Sequence, residues 1–182
     1  MIAGAGREIE AATARLFASE GAAVALLDPT ESQRPAVADG SLQESDEALF
    51  IPADVRSEAS VAEIIRRTRQ TFGRLDVLVT VAGFNRMGRV DSPSVEDWDW
   101  VMEGNIQDTL LTIKHAVPLM KETGEVINLS SVPIYVEADW YAAYHANKCA
   151  MLSMTRALAL ELAPRNIRAN AVSLLGGHPL FG

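Results

Sequence analysis

Tyr144 and Lys148 stand four residues apart in the run 141–163, whose spacing predicts a helix ended by Pro164. On a helix such residues share a face, about 6 Å apart along the axis. An ammonium that close favours the phenolate and draws a tyrosine pKa down from about 10 toward working pH. A tyrosine so placed can both give and take a proton. Ser131 lies thirteen positions earlier, just past the run 125–130 (EVINLS), which reads as a buried strand. A parallel strand ending there reaches the carboxyl edge of its sheet, where such folds bind ligands. Alone, a Tyr-x-x-x-Lys is commonly a surface pair, and a serine after a strand is commonly a turn residue. Their company gives them weight.

That company begins at residues 3–10 (AGAGREIE). A glycine turn between a first strand and a first helix lets the helix N-terminus face a pyrophosphate with free N–H groups. Gly4 and Gly6 suit this turn, but Glu8 and Glu10 occupy the later places where glycine is wanted. Asp28 ends the run 22–27 (AAVALL), 24 positions after Gly4. An acid about 20 residues on binds adenosine ribose hydroxyls and repels a 2′-phosphate, favouring NAD over NADP. A solvated strand-end Asp before Pro29 accounts for it equally well. Asp54, in PADV, is placed either to accept from adenine or to begin the turn before a helix capped by Ser57.

These residues need a scaffold. Runs 22–27, 48–51, 75–81, 125–130 and 167–172 read as strands. Between them lie helices. One carries Ile9, Ala12, Leu16 and Phe17 and stops at Gly21. Another carries Val61, Ile64, Ile65 and Phe72 and stops at Gly73. A long helical region runs from Ser92-Pro93 to about Lys121, interrupted by Gly104 and Pro118. Residues 29–47 read as a loop. The alternation predicts an α/β fold: a Rossmann-like, doubly wound parallel sheet flanked by helices, in a single domain over 1–182.

The 182 residues carry a net charge of −8, which argues against nucleic acid or an anionic membrane as partner. No apolar run reaches the length of a membrane helix, and the first ten residues do not read as a signal peptide. A single cysteine, Cys149, fits a reducing compartment and is expected to be a small buried side chain. A cytoplasmic protein is the simplest expectation. His115, His145 and His178 lack metal-ligand spacing, so no metal site is expected. Trp98, Trp100 and Trp140 read as packing or subunit-contact residues. Met151, Met154, Leu158 and Leu162 form a stripe on the Tyr144 helix that reads as core.

Taken in order, GAGREIEAATARLFASEGAAVALLD, PADV, LDVLVTVAG, the Asn105 region, GEVINLSS, YHANK and NIRANAV resemble the short-chain dehydrogenase/reductase family along nearly the whole chain. The resemblance implies Tyr144 as catalytic acid/base and Lys148 as the residue that acidifies it and binds the nicotinamide ribose. It implies Ser131 as the group that orients the substrate oxygen, and Asn105 as the holder of a relay water. Gly4, Gly6, Ile9, Asp28, Asp54, Val55, Ala82 and Gly83 fall at cofactor-contact positions, as do Tyr144 and Lys148. The implied reaction is hydride transfer between NAD, or less readily NADP, and a small-molecule carbonyl or alcohol substrate. A homodimer or homotetramer goes with it, the stripe on the Tyr144 helix being a candidate interface.

Four departures qualify this. Glu8 and Glu10 replace two motif glycines; either both carboxylates swing to solvent or pair with Arg7, or Glu8 occupies the anion site itself. Only three residues precede Gly4, where strands usually need about five or six. The sequence NAVSLLGG lacks the Pro-Gly expected after NAV, and the chain stops before the family's substrate segment. Thr80-Val81-Ala82-Gly83 stands for Asn-Asn-Ala-Gly. On this reading the domain is incomplete at both ends. A degenerate, non-catalytic scaffold or a nucleotide-binding regulator of the same fold is the alternative.

Overall fold

The computed structural model describes residues 1–4, 8–28, 48–52, 54–81, 83, 85, 86, 88, 89, 91, 94–131 and 141–174. In chain order these form β1 (Ile2–Gly4), α1 (Glu8–Ser19), β2 (Val24–Asp28), β3 (Ala48–Pro52), α2 (Glu58–Phe72) and β4 (Leu75–Val81). Then come α3 (Val95–Met102), a π-helical turn (Glu103–Gln107), α4 (Asp108–Ala116), β5 (Met120–Ser131), α5 (Ala142–Leu162) and β6 (Arg168–Leu174). The six strands make one sheet in the order β3-β2-β1-β4-β5-β6, every pair parallel. This is the expected doubly wound arrangement, with its switch of direction between β1 and β4.

Side chains leave a strand alternately to its two faces. Met1 and Ala3, with Ala25 and Leu27, enter one core that also holds Ile64, Ile113, Val126 and Leu162. Ile2, with Val24, Leu26, Val79 and Val81, enters a second core with Ala14 of α1. Buried on both faces, these strands read as continuous apolar runs.

Local signals set most boundaries. Ser57 caps α2, its side chain accepting from the Ser60 N–H, and Gly73 ends it in the left-handed conformation at φ 74°. The long helical region divides more than expected. Ser94 caps α3, accepting from the Asp97 N–H at 3.1 Å. The π turn contains Gly104, and α4 ends in a short 3₁₀ turn holding Pro118, which has no N–H to continue a helix. The chain is already in β5 at Met120, so the helix expected to reach Lys121 stops earlier.

The first strand is short and yet central. Ile2 pairs with Leu26 on one side and Val79 on the other. Met1 prolongs the ladder: its ammonium donates to Val77 O at 2.8 Å, and its carbonyl accepts from Val79 N at 2.9 Å. Below it lies a cavity of about 400 Å³ lined by Phe17, Val24, Phe72, Leu75 and Val77 among others. Burial there pulls the Met1 ammonium pKa down to about 5, opposed weakly by Asp76.

Candidate functional site at the carboxyl edge of the sheet

The last turn of β5 and the first turns of α5 are stitched together by buried polar groups. Ser130 Oγ donates to Lys148 O at 3.2 Å, and Lys148 Nζ donates to Leu129 O at 3.1 Å. Deeper in, Thr80 Oγ1 donates to Asn128 Oδ1 at 2.8 Å and Asn128 Nδ2 to Thr155 Oγ1 at 2.9 Å. Thr155 Oγ1 in turn donates to Met151 O at 2.7 Å. Each such bond contributes only about 1 kcal/mol net, but an unpaired buried group would cost more. The network therefore sets the height of α5 against the sheet.

That height decides where the chemistry sits. Lys148 is 2% exposed, and its Nζ lies 5.6 Å from the centre of the Tyr144 ring. Burial holds the Lys148 pKa down, to about 8. Tyr144 itself is half-buried and meets Tyr141 edge to face at 6.0 Å. Ser131 is the last residue of β5 and is buried at the same sheet edge. Sequence spacing thus brings Ser131, Tyr144 and Lys148 to neighbouring ends of β5 and α5.

Asn105 belongs to a segment packed against α5. It lies in the π turn, fully buried, and its Nδ2 donates to Val101 O at 2.6 Å. Such turns interrupt helices where a side chain must take over backbone bonding. Asn147, which sequence reading passed over, donates to the same carbonyl at 3.3 Å. Its signal was available: a polar residue three after Tyr144 shares that tyrosine's helix face.

The glycine turn looks different. Gly4 ends β1, and Gly6 lies outside the described residues, as does Ala82. A Cβ on Gly4 would stand 2.7 Å from Glu10 Oε1 and 2.9 Å from Val81 Cβ, so only glycine fits. Glu10, on the first turn of α1, is 5% exposed. The side chain of Glu8, one candidate for the anion site, lies outside the described residues. Glu10 is the carboxylate seen beside the turn. Ile9 is half exposed on α1, Val55 is buried and Gly83 is exposed. Asp28 ends β2 opposite Pro52, its side chain outside the described residues. Asp54 is engaged in a turn: both its oxygens pair with Arg56 at 2.9 Å, which holds its pKa below the usual range, and its carbonyl accepts from Ser57 N. Near it, both Asp108 carboxyl oxygens are buried without a hydrogen-bond partner among the described residues. Burial first, and the Asp54 charge second, push the Asp108 pKa up to about 7.

Other expectations resolve simply. Cys149 is exposed, not buried, because one step along α5 turns it about 100° from the Lys148 face. The Met151 stripe packs inward, with Met151 and Leu162 in the cores and Met154 and Leu158 against them. Trp100 lies under the Arg86 guanidinium at 4.4 Å, and Trp98 is exposed. His115 pairs with Glu58 at 2.9 Å. His178 and Trp140 lie outside the described residues. Among the described residues no group of three metal-ligating side chains occurs, and no helix is long and apolar enough to cross a membrane.

Strand order places the molecule among doubly wound folds of the dinucleotide-binding type. A family model described as enoyl-(acyl carrier protein) reductase matches residues 4–175. An uncharacterized oxidoreductase of Thermotoga maritima is 36% identical over 174 residues, which cover 94% of this chain and 68% of the relative. The trans-4-hydroxycyclohexanecarboxylate dehydrogenase of Sinomonas cyclohexanicum is 35% identical over 179 residues, covering 94% and 69%. A crystal structure from Brucella melitensis, named short-chain dehydrogenase/reductase SDR:Glucose/ribitol dehydrogenase, superposes with a TM-score of 0.88 at 33% identity, covering 94% of this chain and 73% of that one. The chain belongs to the short-chain dehydrogenase/reductase family of oxidoreductases, and membership implies a nicotinamide nucleotide cofactor.

The fit to such a group divides in two. At β5 and α5 the donor set suits a nicotinamide ribose, since a buried ammonium lies 5.6 Å from the Tyr144 ring beside the end of β5. At Gly4 the glycine surface is present, but a carboxylate lies against it.

Proposed function

We propose that the chain transfers hydride between NAD(H) and a carbonyl or alcohol carbon of a small molecule, with Tyr144 as acid/base. The observation that carries this reading is the Lys148 ammonium, buried beneath the Tyr144 ring and fixed to Leu129 O at the sheet edge. A bound nicotinamide would supply the hydride acceptor or donor. Lys148, Tyr144, Gly83 and Gly4 would hold it, with Asp28 favouring NAD over NADP. In alcohol oxidation Tyr144 Oη takes the hydroxyl proton as the hydride leaves carbon; in reduction it returns that proton. Lys148 favours the phenolate by its charge. Ser131 orients the substrate oxygen and stabilises developing charge. Asn105 anchors the turn facing them. The named activity of the Sinomonas relative, on a ring alcohol, supports chemistry at a CH–OH group.

Two experiments test this. NADH and NADPH fluorescence titrations should show binding with NADH preferred. A panel of carbonyls and secondary alcohols should include one turned over, and Tyr144→Phe should lower that rate by about a hundredfold or more while NADH still binds. Equal rates for both proteins would contradict the reading. Glu10 favours the second reading, a scaffold of the same fold without turnover, because its carboxylate lies against Gly4. Absent nucleotide binding would select it. Nucleotide binding with no Tyr144-dependent turnover would select the regulator.

A further inference from the structure

α5 is held on two sides. Toward the sheet, Ser130, Lys148 and the Asn128–Thr155 pair fix it to β5, beside Ser131. Toward the helices, Asn147 fixes it to α3, and it does so at the carbonyl that Asn105 uses. Val101 O accepts from Asn105 Nδ2 at 2.6 Å and from Asn147 Nδ2 at 3.3 Å, and all three residues are fully buried. Asn147 Nδ2 also lies 3.9 Å from Met102 Sδ, where the α-helix passes into the π turn.

We propose that Asn147 is a positioning residue: through the shared Val101 carbonyl it sets the gap between Asn105 and the Tyr144–Lys148 face. The physical reason lies in the π turn. Asp108 N bonds to Glu103 O five residues back, so the ladder is re-registered there. A helix loosened in this way has no fixed depth of its own. One carbonyl with two lone pairs can take two donors, and the donors here come from two different elements. Asn147 precedes Lys148 directly and follows Tyr144 by three residues, so a shift of α5 at this point carries both. Alanine at 147 would leave Val101 O one donor, held by Asn105 alone. The π turn could then drift relative to α5, while the β5 contacts would keep Ser131, Tyr144 and Lys148 together.

This inference rests on the proposed acid/base role of Tyr144 for its catalytic meaning, but not for its geometry. Two arms separate them. The first is NMR of protein labelled with ¹⁵N-asparagine, the Asn105 side-chain pair being assigned by its loss in Asn105→Ala. Asn147→Ala should shift that pair, and Asn147→Ser, which keeps a shorter donor, should shift it less. An Asn105 signal unmoved by both variants overturns the shared carbonyl whether or not the protein turns anything over. The second arm uses the panel compound that the wild type turns over. Asn147→Ala should lower kcat about tenfold, the size of one lost buried hydrogen bond, with KM for NAD(H) within about twofold. In an Asn105→Ala background the same substitution should lower kcat no further, while losses in thermal stability add. Multiplying kcat effects, or a stability loss without any change in kcat, overturn the positioning role. Asn147→Ser carries both arms should the alanine variant fail to fold. Absence of any wild-type turnover defeats the proposed function instead and leaves the NMR arm to decide.

Discussion

The two ends of the crevice treat buried charge in opposite ways. At the β5–α5 end, polar groups enter the interior in bonded sets: Thr80 with Asn128, Asn128 with Thr155, Ser130 with Lys148. Lys148 is buried there, its Nζ 5.6 Å from the centre of the Tyr144 ring. At the β1–α1 end, a carboxylate lies against Gly4. Both carboxyl oxygens of Asp108 are buried with no hydrogen-bond partner among the described residues. The lesson is that family membership fixes the scaffold at both ends, while local charge decides how each end can serve a nucleotide.

Lys148 gives the strongest way to sharpen this contrast. Lys148→Met should lower turnover by about a hundredfold or more, yet raise stability at pH 7 by about 1–3 kcal/mol. The sign follows from burial. The folded pKa of about 8 lies below the unfolded 10.5, so the charged lysine costs stability below pH 8. That cost fades as pH rises through 8 and is gone above 10.5. Thermal melts of both proteins from pH 7 to 10.5 should therefore converge; a variant less stable throughout would break the comparison.

Glu10→Gly comes next. Removing a carboxylate near a pyrophosphate, at roughly 5 Å and an effective dielectric of 20, relieves up to about 3 kcal/mol before screening. NADH affinity should rise tenfold or more. Unchanged affinity in a fluorescence titration would make the two ends alike in their welcome to the cofactor.

Asp108 gives a smaller effect. For Asp108 the folded pKa of about 7 lies above the unfolded 3.8, so its contribution is present below pH 3.8 and lost as pH climbs through 7. Asp108→Asn should be the more stable protein at pH 8, by about 2 kcal/mol, and the advantage should shrink below pH 7 in urea titrations.

Much of this was legible in the sequence, for identifiable reasons. The sheet could be read because strands buried on both faces are continuous apolar runs, as in 75–81 and 125–130. The Ser57 and Gly73 boundaries could be read because a cap and a left-handed stop depend on single residues. The neighbourhood of Tyr144 and Lys148 followed from helical spacing. What stayed hidden depends on tertiary contact. No periodicity foretells that the Asn105 helix re-registers through a π turn, because Gly104 alone is compatible with a plain helix. The early start of β5 was masked by Lys121 and Glu122, polar residues in an exposed segment of strand. Glu10 could be seen as out of place, but not that it packs inward over Gly4. Cys149 faces solvent because its place on the helix, and not its small apolar character, sets its exposure.

The account depends most on an ammonium held dehydrated under the Tyr144 ring. Titrating Lys148 by ¹³C NMR of lysine-labelled protein, with the signal assigned through Lys148→Met, tests that directly. A midpoint near 8 is the predicted result. A midpoint near the ordinary 10.5 would mean the side chain is in water, and the acid/base site would lose its foundation.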